Sequence, residues 1–148
     1  MKLLAVLASA LTILVSALHA QQDMGKATFA ICMACHGPDG KGLPAAGDKK
    51  TAPPLSGSKL ANGNPAIFAL IVLKGIKKEN DTYIQTMAPL PLPPPLLAAV
   101  MTYVRSNFAN KSPAMTEEQV KGYIEKWKAV AGPISRAKLD ELTKELAK

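Results

Sequence analysis

Apolar residues run from Leu3 to Leu18 without a charge, behind Met1-Lys2, and the stretch closes with His19-Ala20 before the polar Gln21-Gln22. This is the layout of a secretory signal peptide: a basic start, an apolar stretch shorter than the roughly 20 residues of a spanning helix, and small residues at Ala17 and Ala20 for a peptidase. Cleavage is expected after Ala20; retention as an N-terminal anchor is the alternative. From Gln22 to Ala34 the positions of Met24, Ala27, Phe29 and Ile31 predict a short helix, with Asp23 near its positive end. Glycine and proline then take over, and the segments 36–42 and 52–57 read as loop.

A second helix is predicted from Asn64 as N-cap and Pro65 at the first helical position, through Ile67, Phe68, Leu70, Ile71 and Leu73, to a stop at Gly75. The third starts near Pro95 and runs to Arg105, fading between Asn107 and Asn110; Leu97, Met101, Val104 and Phe108 form its apolar stripe. Beyond Pro113 the pattern changes. Thr116-Glu117-Glu118-Gln119 is a capping box that opens an amphipathic helix through Val120, Tyr123, Ile124 and Trp127, ended by Gly132-Pro133. A last helix is expected over 136–148, with Leu139, Leu142 and Leu146 on one stripe. The pattern is all-α. It divides into a signal peptide over 1–20, one domain over 21–113 and a helical C-terminal extension over 114–148. That extension either packs back on the domain or docks to a partner subunit.

Composition narrows the function. The 148 residues hold 18 Lys and Arg against 11 Asp and Glu, a net charge of +7, of which Lys2 leaves with the signal segment. This balance favours acidic partners or anionic surfaces. The lysines are scattered, the only arginines are Arg105 and Arg136, and no basic helix or aromatic-interleaved patch appears, so nucleic acid is excluded. The residues beyond Ala20 suffice for one domain with a modest core.

The chemistry lies in one short run, Cys32-Met33-Ala34-Cys35-His36. It holds both cysteines of the chain, and the other histidine, His19, lies in the expected signal segment. Zinc needs four ligands, and no second cluster supplies them. A thioredoxin-like pair calls for a βαβ pattern that the chain lacks. A disulfide across two residues closes too small a loop to stabilise much. The remaining reading of C-x-x-C-H is covalent attachment of one haem c: Cys32 and Cys35 reach the two vinyl groups and His36 becomes the proximal ligand.

The sixth ligand follows by elimination. No second histidine is left, and methionine is the usual choice. Met33 is tied to the proximal side, Met101 belongs to the apolar stripe, Met24 lies at the start of the first helix, and Met115 lies beyond the main core. Met87, in the irregular Gln85-Thr86-Met87-Ala88-Pro89-Leu90 stretch, can arc over the far haem face. Its alternative role is packing on the haem edge. With both axial positions filled, a carrier fits better than a haem enzyme such as a peroxidase, which needs an open iron position and distal acid/base groups.

The anchors Gly25, Phe29, Cys32 to Gly40, Pro53-Pro54-Leu55-Ser56-Gly57, Met87 and Ala99 to Arg105 resemble those of the small monohaem class I cytochromes c, over roughly 22–113. Members of this family serve periplasmic dehydrogenases and respiratory chains. The resemblance implies three or more helices around one haem, and a periplasmic single-electron carrier that is not an enzyme. It also implies that Gly25 packs against Tyr103 where the first and last helices of the domain cross, and that Pro53, with Pro54 as the alternative, offers its carbonyl to His36. The expected partners are redox proteins with acidic docking surfaces, steered by Lys41, Lys49, Lys50, Lys74, Lys77 and Lys78. The alternative is a haem subunit fixed in a membrane or periplasmic dehydrogenase or oxidase complex.

Overall fold

Leucine and alanine dominate the first twenty residues, and neither glycine nor proline interrupts the chain before Gly25. Helix propagation therefore meets no barrier there. A computed structural model describes the backbone of residues 2–78 and 82–147, and the side chains from residue 19 onward within those ranges. Its first helix, α1, spans Lys2–His36. The short helix expected from Gln22 is thus the C-terminal part of a longer one, and Asp23 lies inside it rather than at its start. The side chains of 1–18, most of the expected signal peptide, lie outside the described residues.

Five further helices follow among the described residues: α2 Lys59–Asn62, α3 Pro65–Lys74, α4 Pro94–Ser106, α5 Glu117–Trp127 and α6 Arg136–Glu145. The local signals act as side-chain chemistry dictates. Asn64 accepts a hydrogen bond from the Ala66 amide at 2.9 Å, and Gly75 closes α3. The Thr116 hydroxyl and the Gln119 side chain cap each other's backbone amides at 3.1 and 2.9 Å. The four-residue α2, capped by Ser58, falls in a stretch too short and polar to give a periodic signal. The final helix ends at Glu145, short of the expected Lys148.

The largest interface is the crossing of α1 and α4. A Cβ on Gly25 would lie 2.3 Å from the Ala99 carbonyl oxygen and 2.7 Å from Tyr103 Cβ, so only glycine lets the two backbones meet. Beside that contact, Phe29, Tyr103 and Phe108 form a closed aromatic trio with ring centroids 5.0–5.6 Å apart. Phe108 takes a positive φ of 55° to turn its ring inward after α4 ends. Arg105 is buried, and its guanidinium donates to the carbonyls of Ala61 and Gly63 and ties α4 to the end of α2.

The extension packs back. Val120, Trp127, Ile134, Leu139 and Leu142 are buried in the same apolar cluster as α3 and α4. The Trp127 indole N–H donates to the Ala66 carbonyl at 2.8 Å, fastening α5 to the first turn of α3. Among the described residues no helix is long and apolar enough to cross a membrane.

Candidate haem site

The last turn of α1 presents the Cys-x-x-Cys-His run. Cys32 and His36 are four residues apart and share a helix face. Gly37, at φ +73°, breaks the helix directly after His36. The loop that follows folds back over the helix end and satisfies its open carbonyls. Gly42 N donates to His36 O at 2.8 Å, Leu43 N to Cys35 O at 3.1 Å, and the Thr51 hydroxyl also donates to Cys35 O. Gly40 O then accepts from the amides of Leu55 and Ser56, which fixes the Pro53-Pro54-Leu55 turn beside the motif.

That turn sets the imidazole. His36 Nδ1 lies 2.9 Å from the Pro53 carbonyl oxygen. A carbonyl can only accept, so Nδ1 carries the proton and Nε2 keeps its lone pair, the form a metal ligand requires. Burial lowers the His36 pKa, the Pro53 bond opposes this more weakly, and the net direction favours the neutral ring. The two cysteines are free thiols at half-buried positions. Burial, and to a lesser degree the neighbouring Cys35, pushes the Cys32 thiol up to about 11.

Two adjoining cavities open from this corner. The smaller, about 40 Å³, is lined by Cys32, His36 and Met87 and otherwise by apolar side chains such as Val72, Leu90 and Val104. The larger, about 510 Å³, lies within the usual size of a cofactor cleft; Pro53 and Met87 line it together with the polar Lys77, Tyr83 and Arg136. Leu55, Phe68 and Met87 line both, so the two are parts of one crevice.

The methionines separate clearly in space. Met87 lines both cavities. Met101 is fully buried and touches only the smaller, in keeping with its place in the core stripe. Met24 is exposed, and Met115 is buried against α4, where its amide donates to the Thr102 hydroxyl at 2.8 Å. Sequence reasoning missed two neighbours of the crevice. Gln85 Oε1 accepts from the Cys35 thiol at 3.4 Å and links the motif to the Met87 loop. Arg136 comes from the extension, and no local motif marked it.

The residues present fit haem c: two free thiols, a neighbouring imidazole with Nε2 available, a thioether on the same crevice, and apolar walls. The family model for cytochrome c matches residues 22–121. The chain belongs to the cytochrome c family. Membership brings electron transfer and covalently bound haem c, on an all-α fold. Over 25 residues this cytochrome is also 71% identical to the cbb3-type cytochrome c oxidase subunit CcoP of Rubrivivax gelatinosus, a stretch covering 17% of the chain and 8% of that relative. The chain thus matches only a small part of the relative's length.

Proposed function

We propose that this cytochrome is an exported, periplasmic carrier of single electrons with one haem c, bound through Cys32 and Cys35 and ligated by His36 and Met87. The reading rests on one juxtaposition: an imidazole whose tautomer is set by the Pro53 carbonyl shares a largely apolar crevice with Met87. Haem c, when bound, supplies one-electron iron chemistry, and a Met/His ligand pair raises its potential. The chain's own residues keep that chemistry simple. Pro53 holds the His36 ring and makes it more basic. Leu55, Leu90 and Val104 keep water from the crevice, and Met87 fills the position that a reactive substrate would need. The exposed Lys41, Lys49 and Lys77 present positive charge to an acidic redox partner.

The test is a redox titration followed by visible spectroscopy on the matured protein, paired with Met87→Ala. The expected result is a single one-electron transition, an iron–sulfur charge-transfer band in the oxidised protein, and loss of that band with a lower potential in the variant. An unchanged band in Met87→Ala removes Met87 as ligand. N-terminal sequencing of the periplasmic fraction checks export and cleavage after Ala20.

The similarity to an oxidase subunit favours a second reading, in which the same haem domain is fixed in an oxidase complex. Co-purification with membrane-bound oxidase activity from native extract separates it from the free carrier.

A further inference from the structure

The cytochrome c match ends at residue 121, so the second half of α5, the turn after it and α6 lie beyond what the family accounts for. This tail touches the crevice through backbone. Ile76 pairs with Met87 as an antiparallel bridge and with Ile134 as a parallel one. On one side, Ile76 N donates to Met87 O at 3.1 Å and Met87 N donates to Ile76 O at 2.9 Å. Both backbone groups of Met87 are therefore committed to Ile76. On the other side, Ile134 N donates to Gly75 O at 3.1 Å and Lys77 N donates to Ile134 O at 2.9 Å. Segment 75–77 is thus the middle of three short paired segments, with the Met87 loop on one edge and the tail on the other.

We propose that the tail segment Gly132–Ile134 is a positioning strap for Met87: it holds the Gly75–Lys77 segment to which the backbone of Met87 is bonded. The proposal rests on Met87 being the sixth ligand. Without the strap, 75–77 is an irregular segment leaving the end of α3, with the amide of Lys77 and the carbonyl of Gly75 unpaired in the chain. The strap supplies partners for both. It is itself anchored on each side. Ile134 is 3% exposed in the main core, and Leu139 and Leu142 of α6 follow it into the same cluster. Before it, Gly132 passes so close to α3 that a Cβ there would lie 2.1 Å from the Lys74 carbonyl oxygen. Ser135 then caps α6, whose first residue, Arg136, lines the larger cavity. The path from the buried tail to the ligand is two bridges long and runs entirely through backbone hydrogen bonds.

A strap of this kind raises the cost of swinging Met87 away, and a competing ligand reports that cost. Imidazole can take the sixth position only when Met87 leaves it, so its apparent affinity rises as the strap loosens. The probe is imidazole titrated into the oxidised, haem-loaded full-length protein, read by loss of the iron–sulfur band. Gly132→Ala pushes the tail off Lys74 without touching the crevice. Disturbing the two strap bonds should tighten imidazole binding about tenfold. Val120→Ala, a buried truncation in α5 away from the strap, controls for general destabilisation and should leave imidazole affinity within about twofold. Equal effects from the two variants, or none from Gly132→Ala, overturn the strap. A wild-type protein without the band instead removes Met87 as ligand, and the strap falls with that reading. A measurement independent of any variant uses native-state hydrogen exchange. The amides of Ile134, Lys77 and Met87 should exchange with a common opening free energy, as parts of one cooperative unit. Exchange of Ile134 and Lys77 much faster than that of Met87 overturns the proposal.

Discussion

Replacing Gly25 by alanine adds one methyl group at the point where α1 and α4 cross. The new Cβ would stand 2.3 Å from the Ala99 carbonyl oxygen, whereas ordinary contact begins near 3.4 Å, so the helices must part by about 1 Å. The Ala99 carbonyl belongs to the helix backbone and Tyr103 Cβ is bonded directly to it, so neither can rotate aside. Overpacking of this kind costs about 1–3 kcal/mol, and the hard backbone contact places Gly25→Ala at the upper end. Against it stands the helix propensity that alanine gains over glycine, about 1 kcal/mol. The net expectation is a loss of about 2 kcal/mol, or about 6–8 °C in Tm for a domain of this size. Gly122→Ala is the matched control. Gly122 lies exposed on α5, and a Cβ there meets nothing within 4 Å. The same chemical change should therefore stabilise by up to about 1 kcal/mol. Thermal melts of the haem-loaded proteins, followed by far-ultraviolet circular dichroism, give both signs in one assay. A Tm for Gly25→Ala that matches or exceeds the wild type would refute the reasoning, because propensity would then outweigh the crossing contact.

Trp127→Phe removes the indole N–H bonded to Ala66 O and leaves a small void between α5 and α3; urea unfolding should show a loss of about 2 kcal/mol with an unchanged visible spectrum. Arg105→Leu strips the carbonyls of Ala61 and Gly63 of a charged donor in a buried place, and the same assay should show a loss of about 2–4 kcal/mol. Ala109 is exposed and holds a φ of +63°, so Ala109→Gly should stabilise by up to about 1 kcal/mol, the reverse of the usual effect of glycine. Electron transfer to an acidic partner should slow as the screening length shrinks from about 30 Å at 0.01 M salt to about 8 Å at 0.15 M; stopped-flow rates that ignore ionic strength count against steering by Lys41, Lys49 and Lys77.

Much of the crevice was legible because its parts are local or compositional. The Cys32 to His36 run fixes its own geometry, since residues four apart on a helix share a face and Gly37 stops the helix behind the imidazole. The scarcity of histidine pointed to methionine as the expected second ligand, and Met87 is the methionine that lines both cavities. The ends of α3 and the start of α5 were readable for the same reason: Asn64, Gly75 and the Thr116/Gln119 pair act on backbone groups within a few residues of themselves. The closeness of Pro53 O to His36 Nδ1 spans seventeen positions, and it came from the family resemblance rather than from any periodicity.

The contacts that escaped are those in which backbone meets backbone across long separations. Amphipathic stripes gave α5 and α6 an apolar face but no address, because any apolar surface satisfies such a stripe. The tail meets the chain just beyond α3, where Gly75 O and Lys77 N bond Ile134, and it crosses the end of α3 tightly enough to require Gly132. Neither carries a side-chain signature. The same holds for Arg136, which reads as an ordinary charged residue at a helix start until the tail is folded back and brings it to the crevice. Residues that hold a loop from behind need only supply a carbonyl and an amide, which every residue but proline offers. For that reason the support of Met87 is written in the topology of the chain, while Met87 itself is written in its sequence.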